Sequence, residues 1–68
     1  MYNIKEDVIK DYKKYGLVRK ISKITGLTEG YISQVLNNKK PVAEKVYAYA
    51  ITKALDDDLE IENLFEIM

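Results

Sequence analysis

The stretch that most constrains what this chain can fold into is Val18 to Asn38, VRKISKITGLTEGYISQVLNN. Leu17, Ile21 and Ile24 fall at i, i+4 and i+7, one apolar stripe of a helix, and Gly26 follows as the residue that takes φ > 0 to end it. Thr28 is placed to cap a second helix, whose Ile32, Val35 and Leu36 sit at i, i+3 and i+4. At about 100° per residue these three cover one side, and Gly30, Ser33, Gln34 and Asn37 come out on the other. The spacing therefore predicts two short helices joined by a glycine turn, with an amide-and-hydroxyl face turned away from the core. Such a face suits the edges of base pairs in a major groove, because Gln and Asn each donate and accept in one plane.

Upstream, Ile4, Val8, Ile9 and Tyr12 are spaced as the apolar face of a first helix over Met1 to Tyr15. Asn3 would cap it, Glu6 and Asp7 would lie in its first turn and Lys13 and Lys14 in its last, as the helix dipole favours. Gly16 would end it. Downstream, Asn38, Lys39 and Lys40 form a polar, doubly basic loop before Pro41, which suits the first position of a fourth helix running from about Val42 to Leu55. That helix carries two apolar stripes, Val42, Val46, Tyr49 and Ala50 on one side and Tyr47, Ile51, Ala54 and Leu55 on another. It reads as the central core helix, with contact to a partner subunit as the second use of so much apolar surface. Asp56, Asp57 and Asp58 break the pattern. Leu59, Ile61, Phe65 and Ile67 then alternate, which keeps open a terminal strand paired with its symmetry mate.

A chain of 68 residues is expected to form one domain, at a size where folding buries only about 60% of the unfolded surface. It holds no cysteine and no histidine, so neither disulfides nor the usual zinc ligands stabilise it, and helix packing or self-association must. No apolar run approaches the roughly 20 residues of a membrane span, and no signal-peptide pattern opens the chain; a soluble, intracellular protein is expected. Lysine plus arginine and aspartate plus glutamate both number 11. Their distribution is uneven: Lys10 to Lys45 holds nine basic residues against three acidic, while the two ends hold two basic against eight acidic. The centre can meet phosphates, and the acidic ends should face away.

Gly26 with Leu27 after it, Ile32 six residues past the glycine, Val35 nine past it and Ile21 five before it resemble the pattern of the Cro/CI-type, phage repressor-like (XRE-like) helix-turn-helix. The run Leu36, Asn37, Asn38, Lys39, Lys40, Pro41 is similar to the end of that family's third helix and the loop into its fourth. The resemblance covers roughly Ile4 to Ile67. It implies an all-α fold, a five-helix lambda-repressor-like DNA-binding domain with the helix-turn-helix at helices 2 and 3, closed by a short fifth helix through Leu64 and Phe65. Two positions depart from the pattern. Ser22 stands where the family often has alanine, and Gly30 where such repressors often place a base-reading side chain.

The implied partner is double-stranded operator DNA, palindromic and bound by a homodimer in the cytoplasm of a bacterial host. Base-reading residues would be Thr28, Glu29, Gly30, Ser33, Gln34 and Asn37, with Gln34 foremost. Arg19, Lys20, Tyr31, Asn38, Lys39 and Lys40 would meet phosphates, which position a protein without reading sequence. Self-association is expected in the tail 56–68 and the adjoining helix, through Tyr47, Ile51, Leu55, Leu59, Ile61 and Phe65. The antitoxin of a toxin pair shares all of these features. A helix-turn-helix protein-interaction module, an antirepressor or an adaptor, is the reading to which zero net charge and the bare Gly30 point. No nucleophile and base pair, metal ligand set or phosphate-binding glycine loop is present in the sequence, so neither an enzyme nor a cofactor or small-molecule ligand is expected.

Overall fold

The two ends of the chain meet in a small antiparallel sheet. In the computed structural model, which describes residues 1–12 and 15–67, Tyr2–Ile4 forms β1 and Phe65–Ile67 forms β2, with Tyr2 opposite Ile67, Asn3 opposite Glu66 and Ile4 opposite Phe65. Between them lie α1 (Glu6–Ile9), α2 (Leu17–Thr25), α3 (Glu29–Leu36), α4 (Lys45–Leu55) and α5 (Ile61–Leu64). The fold is thus mostly helical with a two-stranded sheet, and the all-α expectation is corrected by β1 and β2. Both alternatives for the tail occur in sequence, a short helix and then a strand, but the strand pairs with β1 of its own chain.

The first helix is far shorter than the spacing predicts. Tyr2 and Ile4 are an aromatic and a β-branched residue at period two, and their partner strand arrives from the other end of the chain. Helix α1 begins only after Lys5, which provides no side-chain cap; Asn3, expected to cap it, is a strand residue. Lys13 and Lys14, expected in its last turn, lie outside the described residues. Gly16, expected to end the first helix, instead opens α2 from the left-handed region at φ 85°.

Pro41 also acts differently from expectation. Val42 exchanges both backbone hydrogen bonds with Tyr2, each 2.8 Å, so the segment after the proline is held extended against β1. Helix α4 starts three residues later, at Lys45.

Helix α4 is the spine of the core, burying Ala48, Ile51, Thr52, Ala54 and Leu55. The Thr52 hydroxyl donates back to the Ala48 carbonyl at 2.8 Å, which satisfies the buried polar group inside its own helix. Helix α2 packs on both α3 and α4 and inserts Ile21, while α3 inserts Ile32, Val35 and Leu36. The aspartate run after α4 is a tied turn. Asp56 accepts from the Asp58 N–H and the Tyr12 hydroxyl, and Lys53 donates to the carbonyls of Asp57 and Leu59.

The burial pattern corrects the expected self-association set. Ile51, Leu55, Ile61 and Phe65 are in the core of the single chain, at 0 to 9% exposure, so they offer nothing to a second copy. Leu59 packs partly against the same core and Tyr47 is exposed. With Tyr47, the large apolar side chains that α4 and β2 do expose are Val46, Tyr49 and Ile67. Tyr49 and Ile67 line one groove together with Tyr2. No helix among the described residues is long and apolar enough to cross a membrane.

Candidate nucleic-acid interface

The turn between α2 and α3 is fixed by hydroxyls as much as by glycine. Gly26 adopts φ 78° and its N–H donates to the Ser22 carbonyl at 2.9 Å, ending α2. The Thr25 hydroxyl donates to the Ile21 carbonyl and accepts from the Leu27 N–H. Ser22 donates to the Leu27 carbonyl, so it binds forward into the turn rather than back along its helix. Thr28 then caps α3, its Oγ1 accepting from the Tyr31 N–H at 3.2 Å. The Thr28 side chain is therefore committed to the helix start.

Helix α3 is held by Ile32 and Val35 on its inner side and presents Glu29, Gly30, Gln34 and Asn37 to solvent, with Ser33 half-buried at the margin. Asn37 Nδ2 donates to the Ser33 carbonyl at 2.9 Å and lies 3.4 Å from its hydroxyl, so these two candidates form one locally tied pair. Gln34 is exposed, and its side chain bonds to none of the described residues. Glu29 sits in the first turn, where a carboxylate favours the helix dipole, and its carboxylate is 3.9 Å from Arg19 Nε. Both side chains are well exposed, so this pair contributes little and is readily opened.

Gly30 has ordinary helical φ, and a Cβ added there would meet nothing within 4 Å. Gly30→Ala is therefore expected to stabilise the chain by about 0.5 to 1 kcal/mol. In thermal unfolding that is a rise of a few degrees for a chain of this size. A lowered midpoint would show that this turn of α3 is not helical in solution.

Cations stand on both flanks of this face. On one side, α2 begins at Gly16 without a side-chain cap, so its first-turn N–H groups open onto a depression lined by Tyr15, Leu17, Val18, Arg19 and Glu29. Arg19 is exposed there, and uncapped N–H groups with a guanidinium suit an oxyanion; Lys20, next in the chain, is exposed as well. On the other side, α3 closes by two reversed bonds, Asn38 N–H to the Val35 carbonyl at 3.1 Å and Lys39 N–H to the Gln34 carbonyl at 2.8 Å. Asn38 takes φ 58° to make that closure, a conformation asparagine tolerates better than most residues. The chain is thereby folded back, which brings Lys40 Nζ to 5.4 Å from the Tyr31 ring centroid. Lys39 and Lys40 are exposed.

Two side chains sit otherwise than the sequence suggests. Asn38 Nδ2 donates to the Glu6 carboxylate at 3.3 Å, which ties the loop to α1 and sets an acidic group beside the expected phosphate contacts. Tyr47, expected at a subunit contact, meets Tyr31 edge-on, with centroids 6.5 Å apart and planes at 74°. Burial pushes the Tyr31 phenol above its ordinary value, and neighbouring Tyr47 and Glu44 add to the shift, so it stays a neutral O–H donor. Tyr15 beside the start of α2 was given no role by the sequence. Neither tyrosine had a local signal, because each meets the face only through the fold. The chain matches no family model, no curated protein and no solved structure.

Proposed function

We propose that this protein is a sequence-specific DNA-binding transcriptional regulator, in which α2, the Gly26 turn and α3 act as a helix-turn-helix of the lambda-repressor-like, Cro/CI type. One observation carries the reading. The solvent face of α3 is polar and free of the core, and it lies between Arg19, which meets Glu29 on one side, and Lys40, which lies over Tyr31 on the other, with Lys20 and Lys39 exposed next to them in the chain. An exposed amide such as Gln34 reads base edges, and lysine or arginine on each side neutralises phosphates.

A helix in one major groove reads too few base pairs for an operator, so the working unit is a homodimer with its two reading helices about 34 to 36 Å apart. Strand β1 is occupied on both edges, by β2 and by Val42, whereas the outer edge of β2 has no partner strand among the described residues. That edge, flanked by the exposed Ile67 and Tyr49, is the surface a second copy would cover. Bound at a promoter in a bacterial cytoplasm, the protein acts by blocking polymerase.

Selection of bound sites from random duplexes tests this. Enrichment of a palindrome is the expected result, and recovery of no common sequence overturns it. The second reading, a protein-interaction module, draws on the Glu6 and Glu29 carboxylates beside the face. Salt separates the two, because a phosphate-bound complex loses affinity steeply between about 50 and 200 mM through counterion release.

A further inference from the structure

We propose that Tyr47 is a positioning residue: in an edge-to-face contact it holds the Tyr31 ring, and the face of Tyr31 seats the Lys40 ammonium against the phosphate wall on one side of the groove. This rests on the DNA-binding reading and names the parts of one of its two phosphate contacts.

The placement follows from helix geometry. At about 100° per residue, Tyr31 lies roughly 60° to one side of Gln34, while Ser33 and Glu29 lie roughly 100° and 140° to the other. Arg19 meets Glu29 on that second side. A reading helix in a major groove has a phosphate backbone on each side, and Tyr31 therefore faces the wall that Arg19 does not. Lys40 is the cation brought to it, 5.4 Å from the ring centroid.

A lysine on an exposed loop has many rotamers, and few of them aim its ammonium at one phosphate. A cation over an exposed aromatic face favours its seated conformers by roughly two- to five-fold. That selection requires the ring itself to stay put. Tyr31 is half-buried, and its open side is closed by Tyr47 at 6.5 Å in an edge-to-face contact. Tyr47 stands in the first turn of α4, whose start is set by the extended segment after Pro41, so the three side chains come from three separate pieces of chain. The neutral Tyr31 phenol, its proton held more firmly by burial, has a donor left for the same phosphate.

The test is a double-mutant cycle on duplex binding, with cognate and random DNA as the two probes. Tyr47→Ala alone is expected to weaken both duplexes alike by about two- to five-fold. Lys40→Ala alone should weaken both and lower the salt slope by about one. In the Lys40→Ala background, Tyr47→Ala should then cost almost nothing, because the group it positions is gone. Tyr47→Phe keeps the ring and should behave as the parent. A second readout needs no DNA: the Lys40 ε-methylene protons should be shifted upfield by the Tyr31 ring in proton NMR, less so in Tyr47→Ala and undiminished in Tyr47→Phe.

Additive losses, or a methylene shift indifferent to Tyr47, overturn the proposal. So does a Tyr47→Ala chain whose only defect is a weaker dimer in sedimentation, which would return Tyr47 to a subunit contact. Loss of the DNA reading looks different: the parent chain itself would then show no salt-dependent duplex binding, and the proposal would fall with it.

Discussion

Phe65→Ala is expected to remove about half or more of the chain's stability at 25 °C. Phe65 is 1% exposed, stands opposite Ile4 in the sheet and meets the Tyr2 ring edge-on at 6.4 Å and 85°. Removing a buried phenyl ring costs about 3 to 5 kcal/mol, because the lost transfer energy is joined by that of the cavity. The whole stability of a chain this size is about 3 to 10 kcal/mol. The loss also strips β1 of the side chain that pins its partner strand, so the defect spreads to the segment at Val42 and hence to the start of α4. Urea unfolding followed by far-UV circular dichroism is the measurement. The midpoint should fall by half or more at every protein concentration, and Phe65→Leu should lose less. A deficit that vanished as the protein was concentrated would place Phe65 between two copies of the chain instead of inside one.

That same residue shows where the sequence ceases to be readable. The alternation of Phe65 and Ile67 is a local strand signal, but its partner, Tyr2–Ile4, is more than 60 residues away. Nothing in either segment says whether the pairing is within one chain or between two. The N-terminal residues misled for a related reason, since Ile4 and Val8 have helical spacing while Tyr2 and Ile4 have strand spacing, and a distant partner decided between them. By contrast, Ile21, Ile32, Val35 and Leu36 are all buried at the positions their periodicity predicts. Their contacts are made between neighbouring elements over a three-residue turn, and the capping role of Thr28 is local too.

Ile24 is the instructive failure inside the readable part. It continues the stripe of Leu17 and Ile21, yet it is 61% exposed. Helix α2 is rotated so that Val18, Ser22 and Thr25 lie toward the interior with Ile21. Two of these are polar, and counting apolar residues would turn them outward. Their hydroxyls are already spent on the Ile21 and Leu27 carbonyls, so facing inward leaves no unpaired donor. The turn's hydrogen bonds, not the apolar stripe alone, set the rotation of the helix. Among the candidate site residues the division is the same. Which side chains leave the core on α3 follows from period, whereas the Asn38 bond to Glu6 and the meeting of Tyr31 with Tyr47 depend on tertiary placement.

Gln34→Ala is expected to weaken binding to the cognate duplex by about 5- to 150-fold, the equivalent of about 1 to 3 kcal/mol for one bidentate base contact. Position and chemistry both single it out. Gly30, one turn earlier, contributes no side chain, Thr28 is used as a cap, and Asn37 is folded onto Ser33. Gln34 is left as the amide on this face that bonds to none of the described residues, while its backbone is fixed by the Lys39 N–H. An alanine in its place keeps the helix, since alanine is the better helix former, so folding should be unaffected. Affinity for random DNA, which depends on the flanking cations, should also stay near that of the parent. Preference at one base pair per half-site should relax. The comparison of the two duplexes is therefore decisive: equal losses on cognate and random DNA would mean that the glutamine supports the helix or a phosphate, and that base recognition lies elsewhere on α3.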